Sequence, residues 1–96
     1  MSPGRSLPVI YVTAPRCGFC DRGRDILDDL ARSWPLEIRE VALDSPEGRA
    51  LAARWRVPYP PIVLVDGQLA GYGRLSAKRL RQLLAARVAP GAEVSQ

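Results

Sequence analysis

The stretch LPVIYVTAPRCGFC, from Leu7 to Cys20, decides the fold of this chain. Its first half is a run of β-branched and aromatic residues, which predicts a buried strand over Leu7–Val12. Pro8 is compatible with this strand because proline is accepted near a strand's start. A break at Ala14-Pro15 ends the strand, and Cys17 and Cys20 follow in a Cys-x-x-Cys spacing at the predicted start of a helix. The stretch therefore predicts the order strand, turn, cysteine pair, helix.

The residues that follow the cysteines have the spacing of an amphipathic helix. This helix is expected to end near Ser33-Trp34-Pro35, because proline disfavours a helical residue before it. Leu36–Val41 then places apolar side chains at Leu36, Ile38 and Val41, which predicts a second strand. The apolar stripe of the first helix consists of Gly23, Ile26, Leu27 and Leu30.

A second helix is predicted before the break at Val57-Pro58. Asp44 or Ser45 is its expected N-cap, and Asp44 with Glu47 three residues later resembles a capping box. Its buried stripe consists of Leu51, Ala52 and Trp55.

The last part of the chain predicts a hairpin and a third helix. Ile62–Val65 is a continuous apolar run, Asp66-Gly67 is a two-residue hairpin signal, and Gln68–Tyr72 is expected to return as the antiparallel partner. Ser76 is the expected cap of the last helix, which Pro90-Gly91 terminates. The apolar stripe of this helix consists of Leu80, Leu83, Leu84 and Val88.

The predicted element order is β-α-β-α-β-β-α. A helical crossover makes the first two strands parallel, and the hairpin makes the last two antiparallel. We therefore expect an α/β fold with one mixed four-stranded sheet and three helices. The 96 residues suffice for one domain spanning 1–96, with frayed tails at 1–6 and 90–96.

The composition predicts a folded domain and argues against nucleic-acid and membrane partners. A hydrophobic share of 47% is typical of a folded domain and too high for a disordered chain. The net charge is +4, but thirteen arginines and the single Lys78 are scattered among acids, so we expect no nucleic-acid partner. No apolar run approaches the roughly 18 residues of a membrane span, and Met1–Leu7 lacks the apolar core of a secretory signal. We expect a cytoplasmic protein without a membrane partner.

The cysteine pair carries the chemical information, because the chain has no histidine and hence no histidine base or metal ligand. A Cys-x-x-Cys pair is a redox dithiol, half of a metal site, or two core thiols. A closed zinc site needs four ligands, which this single chain cannot supply as thiolate and imidazole. Arg16 and Gly18-Phe19 place the pair in a loop at a helix start, which favours an exposed thiol and the redox interpretation.

The predicted position of Cys17 makes it the nucleophile. The first turn of a helix offers free N–H groups and the positive end of the helix dipole, and Arg16 adds a positive charge, so the Cys17 thiol is expected to be acidic. Cys17 would attack a substrate disulfide. Cys20, one turn deeper and less exposed, would resolve the mixed disulfide and form a Cys17–Cys20 bond.

Four segments together resemble the glutaredoxins and small thioredoxin-like proteins. They are Val9–Val12, TAPRCGFC (Thr13–Cys20), PPIVLVDG (Pro60–Gly67) and Gly71–Ser76. The resemblance covers roughly Leu7 to Val88 and implies a thioredoxin-like fold. It also implies that Pro61, with Pro60 as the alternative, is the cis-proline that faces the cysteine pair.

The resemblance further implies a substrate site around the cysteines. In such families the residue before the cis-proline pairs with the substrate backbone through N–H and C=O. Here that residue is Pro60, which has no N–H, so glutathione or peptide binding is expected to weaken by a few-fold to about tenfold. Tyr59 is expected either to compensate by stacking on the substrate or to pack in the core, and Phe19 supplies an apolar contact. Ala14 stands at the position of the usual glutathione-binding lysine, with Arg16 as its substitute.

The resemblance also allows the helix N-terminus at Ser76, with the help of Arg74, to receive a glutathione carboxylate. The whole pattern predicts a monomeric thiol–disulfide oxidoreductase without a resident cofactor or metal, serving cell redox homeostasis and electron transport. Its expected substrates are protein disulfides or glutathione mixed disulfides. Its expected electron donor is glutathione or a thioredoxin reductase couple.

Two alternatives stay open. Cys-Gly-Phe-Cys differs by one residue from the Cys-Gly-Phe-Ser of monothiol glutaredoxins, which share a [2Fe-2S] cluster with glutathione between two chains. A glutathione-dependent cluster carrier is therefore one alternative, although Cys20 competes as a resolving thiol. The other alternative is a thioredoxin-like binding module whose thiols are not catalytic.

Overall fold

Seven helices and strands follow one another in the predicted order in the computed structural model, which describes residues 6–87. The predicted helix residue Val88, the terminator Pro90-Gly91 and the tails, apart from Ser6, lie outside the described residues. The elements are β1 (Leu7–Thr13), α1 (Gly18–Leu30), β2 (Leu36–Ala42), α2 (Pro46–Trp55), β3 (Ile62–Val65), β4 (Gln68–Tyr72) and α3 (Ala77–Arg87).

The four strands form one mixed sheet in the order β2-β1-β3-β4. β1 pairs with β2 in parallel, as the helical crossover through α1 predicts, and with β3 in antiparallel orientation. β3 and β4 form the predicted hairpin, in which Val65 opposes Gln68. Its turn residues Asp66 and Gly67 have φ angles of 52° and 81°, both in the left-handed region that a two-residue hairpin of this kind requires.

Helices cover both faces of the sheet, and each face has its own apolar cluster. On one face, α1 and α3 pack on β1 and β3, with Leu27 and Leu80 among the buried contacts. Trp34 lies in this cluster and is buried. On the other face, α2 covers Val12 and Ile62, and Trp55 packs against this second cluster. The α1 stripe is buried at Gly23, Leu27 and Leu30, whereas the predicted α2 stripe of Leu51, Ala52 and Trp55 is only partly buried against the second cluster.

Two local expectations differ from the structure. Ser45 is the N-cap of α2: its Oγ accepts the Gly48 N–H at 3.0 Å. The Asp44/Glu47 capping box does not form, because the Glu47 carboxylate pairs with Arg39 on β2 instead. Ile38 is 38% exposed, because β2 is an edge strand of the sheet and its faces are only partly covered.

Across residues 6–87 no helix has the length and apolar character that a membrane crossing requires.

Candidate active site

One end of the sheet collects the segments that the sequence marks as functional. Thr13 at the end of β1 lies opposite Ala42 at the end of β2, and Val12 lies opposite Ile62, the first residue of β3. Ile62 in turn opposes Tyr72 at the end of β4. The loop that carries the cysteines therefore leaves the sheet at the same end at which the proline-rich segment enters it.

Cys17 and Cys20 are joined by a disulfide at the start of α1, with their Cα atoms 5.2 Å apart. Cys17 is the N-cap residue of α1, and its Sγ accepts the Cys20 N–H at 3.1 Å. The Cys17 carbonyl also accepts the N–H groups of Cys20 and Asp21. Cys17 is half-buried, whereas Cys20 is only 3% exposed. The two sulfurs thus have the accessible and protected positions that a nucleophile and a resolving thiol require.

The capping geometry directs the Cys20 N–H at the Cys17 sulfur, and this sulfur lies at the N-terminal, positive end of the α1 dipole. Arg16, directly before Cys17, is exposed and has a φ of 57°, so the chain turns sharply into the helix at this residue. Its cationic side chain lines the same cleft as the Cys17 side chain.

This cleft beside the disulfide has a volume of about 600 Å³. Besides Arg16 and the two cysteines, four polar side chains line it that the sequence analysis did not assign to the site: Thr13, Asp21, Arg24 and Glu40.

Glu40 lies at the centre of this polar group. Its Oε2 accepts the hydroxyl of Thr13 at 2.8 Å and an Arg24 Nη2 hydrogen at 2.6 Å. The hydrogen bond from Thr13, with the added bond and charge of Arg24, lowers the pKa of Glu40 below its ordinary value. The strand alternation of β2 could have placed Glu40 on the α1 face, but no spacing in the sequence links it to the cysteines.

Tyr11, a second residue that the sequence reasoning did not assign to the site, lies under the first turn of α1. Its side chain is 1% exposed, and its hydroxyl donates a hydrogen bond of 2.5 Å to the Cys20 carbonyl. Burial is the main reason why the pKa of Tyr11 is raised to about 12.

The other predicted contact residues lie outside the cleft. Phe19 projects from the first turn of α1 and is 48% exposed. The Pro60–Pro61 peptide bond is cis, as the resemblance implies, and the Pro61 carbonyl accepts the Gly73 N–H at 2.8 Å. Tyr59 is 54% exposed and meets the Tyr72 ring edge to face at 5.8 Å. These aromatic and proline residues sit at the sheet end that carries the disulfide.

Arg74 does not line the cleft beside the disulfide. It lines a different cavity of about 300 Å³ between β4 and the start of α3, together with Ser76 and Arg79. The Ser76 hydroxyl accepts the Arg79 N–H at 3.2 Å and so caps α3, as the sequence predicts. The structure therefore brings Arg16 into one cleft with the cysteines but places Arg74 in another.

Over the described residues 6–87, no three side chains of the histidine, cysteine, aspartate and glutamate types are grouped so that they could hold a metal ion.

A β2-β1-β3-β4 sheet with a Cys-x-x-Cys disulfide at the start of the first helix defines a protein of thioredoxin-like fold. The Glutaredoxin family model matches residues 9–70, more than half of the chain, and the chain belongs to the glutaredoxin family.

Two solved structures illustrate the fold. A mutant thioredoxin from Halobacterium salinarum NRC-1 superimposes with a TM-score of 0.63 at 21% sequence identity, covering 83% of this chain and 73% of that protein. A malarial protein superimposes with a TM-score of 0.62 at 19% identity, covering 85% of this chain and 97% of its own. No curated protein matches the sequence.

Proposed function

We propose that this protein is a thiol–disulfide oxidoreductase that reduces protein disulfides or glutathione mixed disulfides through Cys17 and Cys20, in a reducing compartment. The observation that carries the proposal is the Cys17–Cys20 disulfide at the N-terminus of α1, with the Cys17 side chain half-buried and the Cys20 side chain buried. Membership of the glutaredoxin family supports the same chemistry.

The reaction starts from the dithiol form. The Cys17 thiolate, stabilised by the Cys20 N–H and the helix dipole, attacks one sulfur of the substrate disulfide. A mixed disulfide forms on Cys17, and the other substrate sulfur leaves as a thiolate that takes up a proton. Cys20, after losing its own proton, attacks Cys17 Sγ and releases the second substrate sulfur. The two electrons of the dithiol have then passed to the substrate, and the Cys17–Cys20 bond remains.

The substrate is proposed to contact the residues around the accessible sulfur. Arg16 is the cationic side chain closest in sequence to Cys17 and shares its cleft, while Phe19 and Tyr59 supply exposed aromatic surface at the same sheet end. Pro60 offers a carbonyl oxygen but no N–H, and the Pro61 carbonyl already accepts the Gly73 N–H. We therefore propose that an extended substrate forms fewer main-chain hydrogen bonds here than in relatives with another residue before Pro61. Arg74 is proposed to contact a substrate that extends past Tyr59 and Tyr72 into the second cavity.

The cysteine roles are tested by single substitutions. Cys17→Ser is expected to abolish reduction of a mixed disulfide, because a serine hydroxyl is not ionised at neutral pH. Cys20→Ser is expected to accumulate a covalent complex between Cys17 and the substrate, visible by mass spectrometry under non-reducing conditions. Circular dichroism of both variants serves as the folding control. Turnover by the Cys17→Ser variant at the wild-type rate would contradict the proposal.

The electron donor is identified by comparing two coupled assays on the same disulfide substrate. One supplies glutathione with glutathione reductase, and the other supplies a thioredoxin reductase. Because Pro60 lacks the N–H that would hold glutathione, a gain in the glutathione-coupled rate of Pro60→Ala relative to wild type supports the proposed contact.

The cluster-carrier alternative would need the Cys17 thiolate of the reduced protein as an iron ligand. We propose the dithiol cycle instead, because Cys20, close enough to Cys17 to form the disulfide, competes with iron as a resolving thiol. Anaerobic reconstitution with iron, sulfide and glutathione is expected to leave a colourless protein, and a coloured dimer would overturn this assignment. A Cys17 thiol that titrates near the ordinary value of about 8.5 would instead favour a non-catalytic binding module.

A further inference from the structure

Both main-chain polar groups of Cys20, the N–H and the carbonyl, form hydrogen bonds. Its N–H donates to Cys17 Sγ at 3.1 Å, and its carbonyl accepts the hydroxyl of Tyr11 at 2.5 Å. Tyr11 belongs to β1 in the centre of the sheet, whereas Cys20 belongs to the first turn of α1. The Tyr11 hydroxyl therefore links the main chain of the resolving cysteine to the central strand of the sheet by a hydrogen bond.

Gly23 provides the space for this hydroxyl. It is a buried residue in the interior of α1, where glycine is unfavourable by roughly 1 kcal/mol relative to alanine. A Cβ at this position would overlap the Tyr11 hydroxyl and would lie 2.8 Å from Leu75 Cδ1. The absence of a side chain at Gly23 thus allows the phenol to reach the Cys20 carbonyl.

The Tyr11 ring is also fixed from its outer side. The guanidinium of Arg24 lies 6.0 Å from the ring centroid, and Arg24 is itself held by Glu40. Thr13 donates to the same Glu40 oxygen. A tyrosine phenol is protonated at neutral pH even at its ordinary pKa of 10, and burial raises the pKa of Tyr11 further, to about 12, so the hydroxyl is a hydrogen-bond donor.

We propose that Tyr11 is a positioning residue for the thiol–disulfide exchange: its hydroxyl holds the Cys20 main chain where Cys20 Sγ meets Cys17 Sγ, and so favours the disulfide over the dithiol. Gly23 is the residue that makes this contact possible. The inference rests on the proposed function, because it concerns the same cysteine pair. The structure shows this hydrogen bond together with the closed disulfide, and the inference assigns it a larger contribution in the disulfide form than in the dithiol form.

The test is the redox equilibrium of Tyr11→Phe in mixtures of reduced and oxidised glutathione at fixed pH. In this reaction the protein dithiol and one oxidised glutathione give the protein disulfide and two reduced glutathione molecules. The fraction of each protein form is read by thiol alkylation and mass spectrometry. We expect the equilibrium constant for disulfide formation to fall about three- to tenfold, the range for loss of one net hydrogen bond. Tyr72→Phe, the same chemical change on an exposed ring, is expected to leave it unchanged.

This measurement separates positioning from a merely structural role. If the hydroxyl only stabilised the fold, Tyr11→Phe would destabilise both redox forms equally and leave the equilibrium constant at the wild-type value, which would overturn the inference. A shift towards the disulfide would overturn it as well. Gly23→Ala, which displaces the hydroxyl without removing it, is expected to shift the equilibrium in the same direction as Tyr11→Phe.

Failure of the inference differs from failure of the proposed function. Wild-type protein that reduces disulfides, with Tyr11→Phe unchanged in redox equilibrium, refutes only the role of Tyr11. Wild-type protein that shows no turnover, with a Tyr11→Phe equilibrium shifted as expected, refutes the enzymatic proposal and supports the positioning contact.

Discussion

Glu40 joins three elements near the disulfide through a single carboxylate oxygen. It accepts the Thr13 hydroxyl from β1 and the Arg24 guanidinium from α1, while its own backbone belongs to β2. The hydrogen bond from Thr13 is the largest cause of its lowered pKa, followed in the same direction by the hydrogen bond and charge of Arg24. Glu40 in turn raises the pKa of the Arg24 guanidinium, through the same hydrogen bond and through its charge.

The lowered pKa predicts a pH-dependent contribution to stability. Folding favours the ionised Glu40, so the stabilisation is complete above the ordinary pKa of 4.5 and is lost as the pH falls through the lower folded-state pKa. Glu40→Gln is expected to lower the unfolding free energy at neutral pH by about 0.5 to 1 kcal/mol, since the pair is partly exposed and partly screened. Urea unfolding of both proteins across this pH range checks the prediction.

Glu37→Gln is the matched control for Glu40→Gln. Glu37 is exposed on the same strand and makes no ion pair within the described part of the chain, so its substitution should change stability little at any pH. A stability difference between wild type and Glu40→Gln that persists unchanged below the folded-state pKa would contradict the ionic origin of the effect.

At the scale of single residues, the sequence predicts the site residues that lie close to one another along the chain. The spacing of Cys17 and Cys20 identifies the cysteine pair, whereas Pro61 follows from the family resemblance. Tyr11 and Glu40 were missed, because the contacts that bring them to the site join residues far apart: Glu40 bonds Thr13 across 27 positions. Such contacts depend on strand register and helix docking, which a local pattern does not contain.

Among the helices, α2 depends on a close approach to the end of β2. A Cβ at Gly48 would overlap the Ala42 carbonyl and would lie 2.8 Å from Leu43 Cα, both of them main-chain atoms that cannot rotate away. Gly48→Ala is therefore expected to lower the unfolding free energy by about 1 to 3 kcal/mol, in spite of the higher helix propensity of alanine. Chemical denaturation of the variant measures this loss.

Gly18→Ala is the matched comparison, because its Cβ would meet no atom within 4 Å other than those of its chain neighbours and of the helix's own backbone. It lies in the first turn of α1 and is expected to stabilise the protein slightly or leave its stability unchanged. Equal stability of Gly48→Ala and wild type would show that α2 can shift away from β2 at no cost.

At the scale of elements, the sequence predicted the number, type and order of the helices and strands. β1 extends one residue beyond the predicted Val12, to Thr13, and β2 extends beyond Val41 to Ala42. The cap of α2 was ambiguous, because Asp44 and Ser45 carry equally suitable acceptors. In the structure Ser45 is the N-cap, and Glu47 forms an ion pair with Arg39 of β2, so its carboxylate does not complete a capping box with Asp44.

For the whole molecule, chain connectivity predicted the pair directions but not the strand order. The crossover through α1 makes β1 and β2 parallel, and the Asp66-Gly67 turn makes β3 and β4 antiparallel. That β3 lies beside β1, with Val12 opposite Ile62, is a long-range pairing that no local signal specifies. This pairing places the start of β3 beside the loop that carries the cysteines.

Because the two apolar clusters stabilise the fold independently of the disulfide, we expect the fold to persist when the active-site disulfide is reduced. Both clusters lie on the faces of the sheet and contain residues of three or more elements, with neither cysteine among their members. The disulfide closes a loop of sequence separation 3, for which the chain-entropy estimate gives a stabilisation of no more than about 2 kcal/mol. Reduced protein is therefore expected to keep the circular dichroism spectrum of the oxidised protein and to unfold at a somewhat lower urea concentration.

Urea unfolding with and without a phosphine reductant measures the difference, and Cys20→Ser supplies a control that cannot form the bond under either condition. The variant should unfold at the same urea concentration with and without reductant, since reduction can then act on no disulfide. Unfolding of the wild-type chain by reductant alone would mean that the disulfide, and not the two clusters, holds the molecule together. A bond of that kind could not be broken and remade in each turnover without loss of the fold, so this outcome would also contradict the proposed catalytic cycle.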